Sequence, residues 1–242
     1  AIAEDALFNY GKLQYELGGG VFNEAIHVLN RYIAQYSASE RTVQARELLI
    51  AAYYNSRNYD AAYTALKHYP SPDNNHKAAL QKISYFRGLE AYSRGDLEGA
   101  AQSLAESAAI NVSPKYGALA QFWLGEIAFA RGDYAQAERH YKEYLHRAPR
   151  SEAEYAMAHY NLGYCYFDRG DMSNAYAAFA RFNLLYPAAD RYKADALNRE
   201  ADARYALRQF PAALETYEKA AAVGTNEKYY ADFQRAVTLG IL

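Results

Sequence analysis

The sequence predicts an all-α chain of about six stacked helical hairpins followed by one additional helix. Three observations predict it. Ala25, Ala62, Ala100, Ala137, Ala175 and Ala213 recur at intervals of 37 or 38 residues, and a period of that length marks a repeat architecture. Three residues before each alanine stands Phe22, Tyr59, Leu97, Tyr134, Met172 or Phe210, and an aromatic closes each preceding segment: Tyr15, Tyr54, Tyr92, Phe129, Phe167 and Tyr205. No stretch alternates apolar and polar residues as a half-buried strand does.

The unit is clearest over 121–149. Apolar residues at helical spacing run through Trp123, Leu124, Ile127 and Phe129. Gly132 suits the left-handed position that ends a helix, and Asp133 suits the cap that starts the next. A second helix follows through Tyr134, Ala137, Tyr141 and Tyr144, and Pro149 stops it. In chain order the copies lie at 7–33, 47–70, 85–110, 121–149, 159–187 and 198–222. The first fits if its Gly18-Gly19-Gly20 turn holds two extra residues. Near the middle of each first helix a small residue recurs as Gly11, Gly88, Gly125, Gly163 and Ala201, with Ile50 as the exception. Small residues there let the two helices of a hairpin approach. The implied repeats are 1–37, 38–74, 75–112, 113–149, 150–187 and 188–225. Residues 226–242 read as the first helix of a further repeat, so the sequence predicts one solenoid over 1–242, a fragment of a longer array.

About half of the 242 residues are hydrophobic, ample for a core, and the net charge is −2. Lys and Arg are scattered, which argues against nucleic acid as a partner. No apolar run approaches a membrane span, so direct membrane insertion is not expected. The one cysteine excludes an intrachain disulfide. Tyr is the unusual number, at 26.

Little in the chain reads as chemistry. Arg94-Gly95-Asp96, Arg131-Gly132-Asp133 and Arg169-Gly170-Asp171 spell an adhesion tripeptide, but all three fall at the hairpin turn. No histidines pair at metal-binding spacing. Cys165 sits among core positions and reads as an inert thiol. No carboxylates are marked for acid–base work. The chain is therefore predicted to be no enzyme, with no metal and no cofactor.

Leu124-Gly125, Ala137, Tyr141 and Pro149, and again Leu162-Gly163, Tyr166, Ala175, Phe179 and Pro187, resemble the tetratricopeptide repeat (TPR) pattern. Gln121 and His159 stand where that family has Trp, and the period is three to four residues long. The extra turn precedes the first helix, which resembles the bacterial cell-envelope subset, such as YbgF-like and BamD-like proteins. Residues 3–17, 85–92 and 158–167 resemble large TPR proteins of Bacteroidetes. The resemblance implies a right-handed α-α superhelix with a concave face lined by first helices. It also implies a non-enzymatic scaffold that binds a peptide or helix segment of another protein. It places the chain in the periplasm or envelope, although the residues themselves leave a cytoplasmic location open.

On that pattern the groove-facing residues are Tyr85, Phe122, Trp123, Phe129, Tyr160, Tyr164 and Phe167, flanked by Glu126, Asn161, Asp168 and Arg199. Aromatics on an open concavity anchor partner segments, and these rings are expected to face outward. A known carboxylate clamp of the family is matched at Asn161 and Arg199 but lacks both its lysines, so it is predicted absent. Two alternatives remain from the sequence: a carbohydrate-binding component of a SusD-like type, since Tyr and Trp faces stack on sugars, and a structural spacer within a larger protein.

Overall fold

The computed structural model describes residues 2–18 and 23–242. Phe22 and the Gly19-Gly20 part of the first turn lie outside the described residues. Those described form thirteen α-helices and no strand. They are α1 (Ile2–Glu16), α2 (Glu24–Gln35), α3 (Thr42–Asn55), α4 (Tyr59–His68), α5 (Asn74–Ser93), α6 (Leu97–Ala109), α7 (Pro114–Ala130), α8 (Tyr134–Arg147), α9 (Glu154–Asp168), α10 (Met172–Leu185), α11 (Arg191–Ala206), α12 (Phe210–Ala222) and α13 (Lys228–Leu239). They group into two compact units, residues 1–117 and 118–242, divided within α7. The first unit holds the hairpins α1/α2, α3/α4 and α5/α6. The second holds α8 with the remainder of α7, the hairpins α9/α10 and α11/α12, and α13. Within each unit the second helix of one hairpin packs on the first helix of the next: α2 on α3, α4 on α5, α8 on α9, α10 on α11 and α12 on α13.

One interlock recurs in the hairpins. The periodic alanines are at most 1% exposed. Four residues after each stands Leu29, Leu66, Leu104, Tyr141, Phe179 or Tyr217, on the same helical face and equally buried. That large side chain seats on the small residue of the first helix. A methyl group added to Gly163 would lie 2.8 Å from the Phe179 ring, and one on Gly125 would lie 2.7 Å from Tyr141. A methyl on Gly88 would lie 2.6 Å from Leu104, and one on Gly11 would lie 3.0 Å from Leu29. Glycine is required here by close approach, since the helices could otherwise gain about 1 kcal/mol from alanine.

The turns repeat as faithfully. In five of them the helix closes with two crossed backbone bonds. Gly132 N–H donates to Phe129 O at 2.9 Å and Asp133 N–H to Ala128 O at 2.9 Å; Arg208 to Tyr205 and Gln209 to Arg204 do the same at 2.9 Å each. The closing residue is left-handed throughout: Gly95, Gly132 and Gly170, but also Arg57 and Arg208. The next residue caps the following helix. Asp96 accepts from Gly99 N–H at 2.9 Å, Asp133 from Gln136 at 3.0 Å, Asp171 from Asn174 at 3.3 Å and Asn58 from Ala61 at 3.1 Å. Gln209 forms no side-chain cap. The three Arg-Gly-Asp tripeptides are thus turn and cap. The late aromatics brace the same corners: Phe129 lies 5.3 Å from Tyr134 and Tyr205 lies 5.2 Å from Phe210.

The last turn therefore carries two departures from the better copies, a left-handed Arg208 and an uncapped α12. The double change Arg208→Gly with Gln209→Asp is expected to raise stability by about 1–2 kcal/mol, the worth of relieving a left-handed non-glycine and adding a cap. A thermal melt at or below the wild-type midpoint would show that these turns do not obey one rule.

Candidate functional site

Positions on each first helix divide by their offset from the central small residue. Offsets of minus three and plus four share its face and enter the hairpin. Offsets of minus six, minus two, plus one and plus five lie about a quarter-turn or more away and form a second face.

Five of the expected groove aromatics, Tyr85, Phe122, Tyr160, Phe129 and Phe167, have offsets on the first of these faces, and two of them are buried. Phe122 is 5% exposed and packs on Tyr144 at 5.3 Å between ring centres. Tyr85, in the first unit, is 6% exposed and packs on Phe86 and Tyr116. The expectation that these rings face outward is corrected. Phe122 is buried against Tyr141 and Tyr144 of its own hairpin, and Tyr85 against Phe86 of its own helix and Tyr116 of α7. Tyr160, at the same offset, is half-buried on Phe182 at 5.1 Å. Phe129 and Phe167 are half-buried at the turns. Trp123 is half-buried beside Phe122, Asn161 is 9% exposed, and Asp168 is exposed.

The second face of the second unit carries a row of carboxylates held by tyrosine hydroxyls. Glu126, on α7, accepts from the Tyr141 hydroxyl at 2.7 Å and from the Asn161 amide. Asp195, on α11, accepts from the hydroxyls of Tyr160 at 2.8 Å and Tyr164 at 2.5 Å. Asp202 accepts from Tyr217 at 2.6 Å and Tyr230 at 2.8 Å. Arg199 lies between the aspartates, 2.6 Å from Asp202 and 3.7 Å from Asp195. Its guanidinium also stands over the Tyr230 ring at 4.8 Å and the Phe167 ring at 5.9 Å. Of the expected residues, the structure thus joins Glu126 to Asn161, and Tyr160 and Tyr164 to Arg199 through Asp195.

Burial pushes the Glu126 carboxyl above its ordinary range, against the bonds from Tyr141 and Asn161. Burial does the same to Asp202, against Arg199 and the two hydroxyls. Ionising either carboxyl therefore carries a burial cost, which Arg199 offsets at Asp202 and which no cation among the described residues offsets at Glu126. The hydroxyls of Tyr141, Tyr160 and Tyr217 are driven well above the usual phenol range, first by burial, then by the adjoining carboxylates. Tyr217 and Tyr230, which sequence reasoning did not place in the site, are joined to it through Asp202, and Tyr217 is there by repeat phase. Tyr141 and Tyr217 are equivalent, as are Glu126 and Asp202.

Cys165 is fully buried, and burial pushes its thiol up to about 12. Burial and the charge of Arg181 push His159 down to about 4. Among the described residues no three His, Cys, Asp or Glu side chains are grouped to hold a metal ion, and no helix is long and apolar enough to cross a membrane.

Fold and site together define a helical-hairpin repeat protein, with a shared interior face and a variable outer face on its first helices. Models of the tetratricopeptide repeat match residues 85–152, 128–190 and 5–39, together more than half of the chain. The chain belongs to the tetratricopeptide repeat family. No curated protein matches it in sequence. Among solved structures it is similar to BtubC (BKLC) from P. vanneervenii, at 15% identity and a TM-score of 0.58 over 91% of each chain. It is also similar to the C-terminal part of a TPR repeat-containing protein from Cytophaga hutchinsonii, at 18% identity and TM-score 0.54, over 89% of this chain and 78% of that one. MamA matches at 19% identity and TM-score 0.52, over 76% of this chain and 93% of its own. At these identities the likeness is one of fold.

A pH test follows from Glu126. Its native pKa is raised above the ordinary 4.5, so the stabilisation tied to that shift is complete below 4.5 and is lost as pH rises through the native value. Glu126→Gln keeps an acceptor and removes the charge. Its melting temperature is expected to gain on wild type as pH rises from acid to neutral. A gap that is constant with pH, or that widens in acid, would contradict the buried-charge assignment.

Proposed function

We propose that the chain is a protein-binding scaffold whose second unit receives a segment carrying basic side chains beside aromatic or apolar ones. The observation that carries this reading is the carboxylate row. Glu126 on α7 and Asp195 and Asp202 on α11 lie half-buried, interleaved with Trp123, Tyr164, Phe167 and Tyr230, and exposed Asp168 adds a carboxylate on α9 between them. Arg199 is the cation bonded within it. A partner cation would relieve the burial cost at Glu126 and could stack on the flanking rings. Charge complementarity of this kind sets register and speeds encounter. The hydroxyl bonds hold the carboxylates in place before binding, which lowers the ordering cost. The scaffold needs no catalytic step. An envelope location extends the same proposal from the sequence resemblance, and fractionation of cells expressing the full-length protein tests that extension separately.

A peptide array with Lys or Arg beside Trp, Tyr, Phe or Leu, matched to charge-reversed copies, tests the binding chemistry. The basic set is expected to bind and to weaken as salt rises. The double change Asp168→Asn with Asp195→Asn is expected to weaken it by about tenfold or more, equivalent to about 1.4 kcal/mol. Equal binding of the charge-reversed set, or of neutral oligosaccharides through the same aromatics, would overturn the reading.

A further inference from the structure

The second hairpin departs from a packing rule that three other hairpins follow, and a cleft lies at the departure. In three hairpins the residue at offset minus three of the first helix is an aromatic that meets a second aromatic seven residues after the periodic alanine. Phe8 meets Tyr32 at 5.4 Å, Phe122 meets Tyr144 at 5.3 Å and Tyr160 meets Phe182 at 5.1 Å. In the second hairpin the equivalents are Glu47 and Tyr69. Glu47 is exposed and supplies no ring. Tyr69 has left the helix, because α4 ends at His68 after 10 residues. It packs instead on the cluster of Ala45 and Leu49. The vacated space is a cleft of about 790 Å³ between α3, α4 and α5, floored by Ile50, Leu66, Ala79 and Ile83. Its size is that of a small-molecule site.

Its polar lining is uneven. Arg46 stands over the Tyr69 ring at 4.0 Å, and Lys82 over the Tyr54 ring at 4.1 Å. The Arg46 Nε is buried without an acceptor, and among the described residues Arg46 has no ion pair. A buried guanidinium N–H left unbonded is costly, and a carboxylate satisfies it with two parallel bonds. The opposing charges are weaker candidates for that task. Asp73 is engaged in capping α5 through His76 N–H at 2.8 Å. Glu47 stands on the rim in water. His68 and His76 complete the edge.

We propose that this cleft binds a small aryl carboxylate, its ring in the space that three other hairpins fill with their own aromatics and its acid group on Arg46. The ring lies against Ile50, Leu66 and Ile83, and the acid accepts from the guanidinium that Tyr69 holds in place. Lys82 adds a second positive charge at the cleft. This site is in the first unit and is independent of the carboxylate row in the second.

Calorimetric titration of the intact chain with 2-naphthoate, its neutral isostere 2-naphthamide, and an acetylated Asp-Phe dipeptide amide tests it. Saturable binding of 2-naphthoate is expected, with 2-naphthamide at least about tenfold weaker. Arg46→Gln is expected to remove that preference. Glu47→Phe supplies the ring found in three other hairpins, so it is expected to abolish binding and raise the melting temperature. Glu47→Gln is expected to retain binding and serves as the folded control. Equal affinity for acid and amide, no saturation at millimolar ligand, or unchanged binding in Glu47→Phe would each overturn the proposal. Tighter binding of the dipeptide than of 2-naphthoate, dependent on Arg46, would overturn it in favour of a protein segment.

Discussion

The structure depends on one contact repeated along the chain: a large side chain of the second helix seated on a small residue of the first. It sets how closely the two helices approach, and that approach decides which positions are interior. Once Phe179 occupies the space above Gly163, the residues three before and four after that glycine must enter the same interior. The faces a quarter-turn away are left to vary. The variation at the contact is itself correlated. Where the seated side chain is Tyr141 or Tyr217, the residue after the small one is a carboxylate, Glu126 or Asp202, and the phenol hydroxyl bonds to it. Where it is Phe179, that residue is Tyr164, packed edge-on at 5.2 Å. A buried hydroxyl needs an acceptor and a buried phenyl does not, so the two positions change together.

This explains which parts were legible in the sequence. The alanine series, the capped turns and the late aromatics are fixed by local chemistry, and they recur at fixed phase. The Arg-Gly-Asp tripeptides read correctly as turns for that reason. The assignment of faces did not follow from the family pattern. Tyr85 and Phe122 look like groove anchors in a list of aromatics, and only the glycine contact shows that they point inward. The tyrosine–carboxylate bonds left a signal that periodicity could have found. Glu126 and Asp202 are 76 residues apart, and so are Tyr141 and Tyr217. The pairing is visible only when the two positions are read jointly at twice the repeat period.

The distinctive chemistry lies where a copy departs from the common rule. In the second unit, carboxylates enter the outer face and turn a packing array into an acidic, aromatic surface. In the first unit, Ile50 replaces the small residue, Glu47 replaces an aromatic and α4 ends early. The outcome is a cleft instead of a filled hairpin end. Both departures leave the interlock of the neighbouring hairpins intact.

The central claim is that the glycine and the seated side chain act as one unit, and a double-mutant cycle on Gly163→Ala and Phe179→Ala measures it most directly. Alone, Gly163→Ala should cost about 1–3 kcal/mol by overpacking, and Phe179→Ala about 3–5 kcal/mol by leaving a cavity. Together they should cost at least about 1 kcal/mol less than the sum, because the added methyl enters space the ring has left. Additive costs, or a stabilising Gly163→Ala, would contradict the account.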